Sequence, residues 1–189
     1  STGGSVFAGG GASAGLAVAA RLISSNGHPH QLSAAAPCTV SFRLARAFDR
    51  AGEDRAEAAY ARLMTPVTKY WCCKIAPALI YEAMECIGGS GYIEERPIAR
   101  HYREAPVNAI WEGSGNVMAL DVLRVLSRGR DLFETVFAGI ARDIGPSARK
   151  TVEVLRAAMA LCERDEGAGR LLIEQLALMK AERTEMQDE

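Results

Sequence analysis

The chain has 189 residues, a formal net charge of -1, 49% hydrophobic residues and only 6% aromatic ones. That length holds one domain with a real core, the bias towards Ala, Leu, Val and Ile favours helices, and the near-neutral balance excludes a global basic field for nucleic acid. No apolar run reaches the roughly 18 residues that span a membrane, and the five cysteines (Cys38, Cys72, Cys73, Cys86, Cys162) lack metal-ligand spacing, which reads as reduced, buried thiols in a cytoplasmic protein.

Residues 1–41 differ from everything that follows. Arg21 is their only charged residue apart from histidine, and Gly and Ser are frequent. Gly9-Gly10-Gly11 marks a low-complexity segment expected to lack order, with at most a short helix over Leu16–Ile23. It is no phosphate loop, because no Lys-Ser or Lys-Thr pair follows the glycines. His28 and His30 flank Pro29 without further ligands nearby, so no metal site is expected. No basic segment precedes the apolar Ala14–Ala20, as a signal peptide requires.

From Phe42 the chain turns helical, with apolar residues at 42, 44, 45 and 48, and residues 42–189 read as one domain. Gly52 to Asp54 is a turn. A long helix is predicted over 55–87, its apolar positions Leu63, Val67, Tyr70, Trp71, Ile75, Leu79 and Met84 recurring mostly at three- and four-residue steps. Pro66 and Pro77 each remove a backbone donor inside it, which predicts two kinks or one break. Its Tyr and Trp residues read as core. Gly88-Gly89 ends the helix. The stretch 88–109 is expected to be irregular apart from a helical turn near 97–102.

Further helices are predicted over 116–126, 130–143, 146–165 and 167–185. In the third, Val152, Leu155, Met159 and Cys162 form one apolar stripe, and in the fourth Leu172, Leu176 and Met179 do the same. No alternation calls for a strand. The class is all-α, an antiparallel helical bundle with short connections.

Two glycine turns stand out. Ile87-Gly88-Gly89-Ser90-Gly91-Tyr92 has more glycine than a helix stop requires, and its unhindered N–H groups suit either a phosphate or a close backbone approach, or form a plain helix C-cap. The second, Trp111-Glu112-Gly113-Ser114-Gly115-Asn116, sets a carboxylate beside an aromatic and before a helix start. Ser114 or Asn116 is placed to cap that helix, whose N-terminus offers free N–H groups to an anion. Taken alone, this turn also reads as a capped helix start with one solvated Glu.

Together the two turns are far more specific. EAMECIGGSGYIEERPIARHYREAPVNAIWEGSGNVMALDVLR, residues 82–124, resembles the C-terminal helical domain of the acyl-CoA dehydrogenase family, with its Gly-Gly-x-Gly-aromatic turn, Arg-acid pair and aromatic-Glu-Gly-Thr/Ser turn in that order. The wording of the second turn, together with RLARAFDR and TPVTKYWCCKIAPALIYEAMEC, is most similar to the alkylation-response, AidB-like branch. The likeness is strong over 42–130 and weaker beyond. Residues 1–41 lie outside it. So do the family's N-terminal helical and middle β domains, which marks the chain as a carboxy-terminal piece joined to unrelated sequence.

The resemblance implies that Glu112 is the base that removes the proton α to the carbonyl of an acyl-CoA thioester while FAD takes the β hydride. Such a base must be desolvated, with Trp111 excluding water beside it. It further implies that Ile110, Trp111, Glu112, Gly113, Ser114, Gly115, Asn116, Val117, Met118, Ala119 and Leu120 line the FAD site, with Asn116 a polar contact. Gly88, Gly89 and Gly91 would approach the cofactor of a neighbouring subunit in a homo-oligomer, a tetramer in the family. Arg103-Glu104 reads as a structural ion pair.

The AidB-like branch adds a second reading, duplex DNA binding, with Arg124 at an arginine position of that branch. Against it, the chain from Ser127 onwards carries ten basic and twelve acidic residues. A third reading is an oligomerisation bundle without chemistry. As a free chain, the domain is expected to bind FAD poorly and to be inactive, since most of the site's walls lie in the other domains.

Overall fold

The structure, a computed structural model, describes residues 35–145 and 148–185. The low-complexity stretch, the helix expected over Leu16–Ile23 and the His28/His30 pair lie outside the described residues.

The described residues form helices joined by short turns: α1 (Ala35–Arg50), α2 (Arg55–Ile87), the single turn α3 (Gly89–Tyr92), α4 (Pro97–Asn108), α5 (Gly115–Arg128), α6 (Arg130–Ile144), α7 (Ala148–Cys162), a 3-10 turn (Glu166–Ala168) and α8 (Gly169–Glu185). No strand occurs among the described residues. This is the all-α bundle that the 3.6-residue periodicity predicts. No helix among the described residues is long and apolar enough to cross a membrane.

Helix α1 begins seven residues before the expected Phe42. Its inward face is Val40, Leu44 and Ala47, a four-then-three step, while Phe42 and Phe48 are exposed. Pro37 sits in the first turn, where its missing N–H costs nothing. The predicted apolar positions 42 and 48 therefore point outward, because the true period starts two residues earlier.

Helix α2 is the hub, packing against α1, α4, α5, α6 and α8. Asp54 caps it, its carboxylate accepting from the N–H of Ala56 at 2.8 Å and of Glu57 at 3.4 Å. It runs unbroken through Pro66 and Pro77. Neighbouring helices on several sides hold the backbone where two missing donors alone would favour a break. Tyr60, Leu63, Met64, Val67, Tyr70 and Trp71 are buried, so the long helix's Tyr and Trp up to residue 71 are core. Tyr81, near its far end, is exposed.

The core joins that half of α2 to Val122 and Val125 of α5, Phe133, Phe137 and Ile140 of α6, Leu155 of α7, and Leu172, Ile173, Leu176 and Met179 of α8. Both predicted stripes of the last helices face it, Leu155 fully and Val152, Met159 and Cys162 partly. Two bidentate ion pairs tie helices together. Arg43 holds Glu57 at 2.7 and 3.0 Å and lies 4.0 Å above the Tyr60 ring. Arg62 holds Asp121 at 2.8 Å twice, which keeps the Asp121 carboxyl below the usual range.

The segment after Gly88 is more regular than expected. Instead of one turn near 97–102, α4 runs the full 12 residues. Pro97 opens it at a position that needs no donor. Ala99 and Ala105 face inward, and Arg100 pairs with Glu104 at 2.8 Å one turn on. Arg103 and Glu104 do not pair with each other, because adjacent helical residues point apart. Arg103 reaches back to Glu94 instead.

Candidate functional site

The carboxylate-bearing turn lies between α4 and α5. As α4 ends, the N–H of Ile110 and that of Trp111 both donate to the Val107 carbonyl, at 2.9 and 3.1 Å, winding the chain into a tight turn. Glu112 follows at φ +55°, the only positive-φ residue other than glycine among the described residues. An L-residue is strained there, and such strain collects at functional sites. Gly113 continues at φ +110°, and a Cβ on it would lie 2.5 Å from the Met118 methyl. Gly115 opens α5 buried, with the Tyr70 ring 3.0 Å from where its Cβ would stand.

What holds this turn comes from α2. Lys69 Nζ donates to the carbonyls of Trp111 at 2.8 Å, Gly113 at 2.6 Å and Asn108 at 3.4 Å. The ammonium also stands at the C-terminal end of α4, whose last turn carries no basic residue of its own. Nothing in the sequence near Glu112 signals this partner, 39 to 44 residues away.

Neither expected cap of α5 acts as one. Ser114 is the N-cap residue, but its hydroxyl makes no capping bond. Asn116 Oδ1 accepts from Arg170 of α8 at 2.9 Å. Arg170 also lies 5.1 Å over the Tyr70 ring, and the Tyr70 hydroxyl donates to Glu174 at 2.5 Å. Burial, reinforced by that carboxylate, pushes the Tyr70 hydroxyl up to about 12.

The stretch 110–120 divides by face. Ile110, Trp111, Glu112, Ser114, Asn116, Val117 and Leu120 are exposed. Gly113 and Met118 are half-buried, while Gly115 and Ala119 are buried within the chain. Ala119 faces α8, next to Gly169. Trp111 itself is 58% exposed, so within this chain it does not shut water away from Glu112.

The other glycine turn is built differently. Gly88 (φ +75°, ψ -156°) takes a conformation open mainly to glycine, and its N–H donates to the Met84 and Glu85 carbonyls at 3.0 Å each. Gly91 is buried, and a Cβ there would lie 2.8 Å from the Met84 carbonyl oxygen. Gly89 is exposed, with nothing within 4 Å of where its Cβ would stand. The two turns sit at opposite ends of α4, about 18 Å long at 1.5 Å per residue. One chain does not bring them together into one site.

Arg124 is exposed on a groove of about 830 Å³. Leu123, Leu126, Met159 and Cys162 contribute apolar lining, and Arg124 and Arg128 share the groove with Glu163 and Glu166. Burial, then Asp165, raises the Cys162 thiol to about 11. All five cysteines are unpaired, and among the described residues no group of three or more His, Cys, Asp or Glu could hold a metal ion.

Comparison with known proteins converges on one family. The model of the acyl-CoA dehydrogenase C-terminal domain matches residues 31–127. The AidB protein of Escherichia coli (strain K12) is 44% identical over 138 residues, 73% of this chain but 25% of that protein. Acyl-CoA dehydrogenase family member 11 of Caenorhabditis elegans is 48% identical over 71 residues, 38% of this chain and 12% of that one. Among solved structures, the Caenorhabditis elegans ACDH-11 complex with C11-CoA superposes with a TM-score of 0.64 at 25% identity, covering 79% of this chain and 29% of the other. The apo-form of Bd2924 shares the fold with a TM-score of 0.66. The chain thus spans about a quarter of the length of the AidB protein.

Proposed function

The chain belongs to the acyl-CoA dehydrogenase family and carries its C-terminal domain, and from that premise we propose that it supplies the base and one wall of a flavin-dependent site for the α,β-dehydrogenation of an acyl-CoA thioester. The observation that carries this reading is Glu112. It is the one residue other than glycine among those described that is held in the left-handed region, clamped from another helix and exposed at the surface. Strain of that kind persists only where the surroundings over-determine it.

The residues around it suit FAD as one side of a site. Ile110, Trp111, Val117 and Leu120 are large apolar side chains left exposed on the same stretch, a surface a flat ring system would cover. Arg170 occupies Asn116 Oδ1, which leaves the amide nitrogen's donors for a ligand. FAD, when bound, supplies the acceptor for the hydride from the β carbon. The Glu112 carboxylate takes the proton from the α carbon, a transfer that needs the carboxylate within hydrogen-bonding reach of that proton and water shut out. With Glu112 and Trp111 exposed here, the remaining walls must come from other domains or subunits. A relative solved with C11-CoA bound supports a thioester ligand.

The free 189-residue chain is therefore expected to bind FAD weakly and to lack turnover. Absorbance near the flavin bands after purification with added FAD tests this; a stoichiometric yellow complex that bleaches with an acyl-CoA overturns it. The role of Glu112 is tested by transplanting residues 82–124 into the bovine short-chain specific acyl-CoA dehydrogenase, a protein 34% identical to this chain over 83 residues. Glu112→Gln in that chimera is expected to slow flavin reduction by about 10²–10⁴-fold, the range one general base supplies. A rate within tenfold of the parent chimera contradicts the assignment.

Assembly with further copies has support of its own. Ile87, Tyr92 and Ile93, around the first glycine turn, are exposed apolar side chains, and Gly89 has open space over it. We read this region as a contact face towards a neighbouring subunit and its cofactor. Duplex DNA has less behind it, since Glu163 and Glu166 share the Arg124 groove.

A further inference from the structure

We propose that Lys69 is the positioning residue for Glu112. Its ammonium grips the carbonyls of the residues on either side, Trp111 at 2.8 Å and Gly113 at 2.6 Å, and so fixes the left-handed backbone between them. Its consequence for chemistry rests on the reading of Glu112 as the base; the geometry does not.

Three features single out Lys69 as the holder. First, the side chains of the turn provide little anchorage of their own. Ile110, Trp111, Glu112 and Ser114 are all exposed, and Ser114 makes no capping bond. Buried apolar surface, which ordinarily fixes a turn, is scarce here.

Second, the bonds are of the strong kind. The ammonium of half-buried Lys69 donates to Trp111 and Gly113 at short range, 2.8 and 2.6 Å, and to Asn108 at 3.4 Å. Charge-assisted bonds are short and about twice as strong as neutral ones. The contact also places a positive charge at the C-terminal end of α4.

Third, the space under the turn is narrow. Bounded by Lys69, Tyr70, Cys73, Lys74, Ala109, Gly113, Gly115 and Met118, it measures about 10 Å³. A water molecule needs at least about 10–15 Å³ and two to four polar partners. A residue of similar length without donors would remove all three bonds, the part-buried one to Gly113 included, and an L-residue at φ +55° would be freer to relax towards ordinary backbone.

The arrangement also places the clamp on a rigid element. Lys69 lies between Thr68 and Tyr70, both buried, in the packed half of the hub helix. A site residue on a loop thereby takes its position from the core. Small misplacements of a reacting group are expensive, on the order of 10²-fold in rate for 1 Å.

The test uses the 189-residue chain and needs neither flavin nor thioester. Hydrogen exchange is followed at the Ile110 and Trp111 amides, with the amides of Leu172–Met179 as the core reference, alongside cleavage after Glu112 by a glutamate-specific protease. Lys69→Met is expected to accelerate turn exchange and cleavage by about tenfold or more while the core reference stays within about twofold. Lys69→Arg, which keeps several donors, is expected to stay within about threefold of the parent. Should Lys69→Met fail to fold, Lys69→Gln, shorter but still a donor, is expected to give an intermediate acceleration confined to the turn. Parent-like turn exchange in the folded variant without donors, or equal acceleration of turn and core, overturns the proposal. Failure of the Glu112→Gln chimera to lose activity bears on the base and leaves this result standing.

Discussion

The two glycine turns flank α4 and are built by opposite means. The first closes on its own neighbourhood: Gly88 takes a backbone geometry that glycine favours, and Gly91 presses against the Met84 carbonyl four residues before Gly88. The second is held from far away in sequence, by Lys69 of α2 and by the Tyr70, Arg170 and Asn116 contacts that brace α5. A turn made by local sterics needs only glycine. A turn that must hold a charged L-residue in a strained state needs a partner from the core, and that is where Glu112 sits.

Gly91→Ala is the hardest blow to the first turn. Its Cβ would meet a backbone oxygen at 2.8 Å, and backbone does not yield as a side-chain end does. A loss of about 2–3 kcal/mol is expected, within the range of overpacking, read as a lower denaturant midpoint with an unchanged slope. An unchanged midpoint would mean the turn is not sterically closed.

The second turn's support has a pH signature. The Tyr70 hydroxyl is raised to about 12 in the folded chain, by burial first and by Glu174 next, from an ordinary value of 10.0. The protonated form is thus the one folding favours. Its contribution is complete below about pH 10 and is lost as pH rises through about 12. Tyr70→Phe is expected to flatten that alkaline loss in a Tm-versus-pH series; an identical slope in both proteins would remove Tyr70 from the brace.

Glu112→Gly probes strain directly. Glycine accepts φ +55° freely, so the variant is expected to gain about 0.5–1 kcal/mol after its own entropy cost, while losing any base function. A loss of stability would mean that the carboxylate, not the backbone, holds the turn. The smallest change is expected at Gly89, where Ala meets nothing within 4 Å and the free chain should shift by no more than about 0.5 kcal/mol. If that face meets a neighbouring subunit, the same variant weakens self-association in sedimentation. No loss of association would separate Gly89 from the contact face.

Much of the fold is legible along the chain. The i, i+3, i+4 steps of α2, α7 and α8 mark their buried residues, and Gly88 marks the end of the long helix, because these are properties of neighbouring residues. Two misreadings share a cause. Pro66 and Pro77 argue for two kinks or one break, of which the break does not occur, and the charged, aromatic residues 94–104 argue that 88–109 is mostly irregular. Packing around α2 overrides the first, and Pro97 together with the Arg100–Glu104 pair builds a full helix from the second. Arg103 and Glu104, adjacent in sequence, find partners elsewhere because the helix turns them apart.

By itself the sequence determined the helical class, the family, the position of the carboxylate-bearing turn and the need for glycine around it. The family follows from the likeness of residues 82–124 to known sequences, and the rest from local spacing and backbone preference. Only the tertiary structure decided which side chains secure that turn. Lys69 lies 44 residues from Gly113, Arg170 lies 54 from Asn116, and Glu174 lies 104 from Tyr70. A single polar residue on a long helix carries no trace of the backbone it will bind. That pairing exists only once burial of the apolar faces has brought α2, α5 and α8 together.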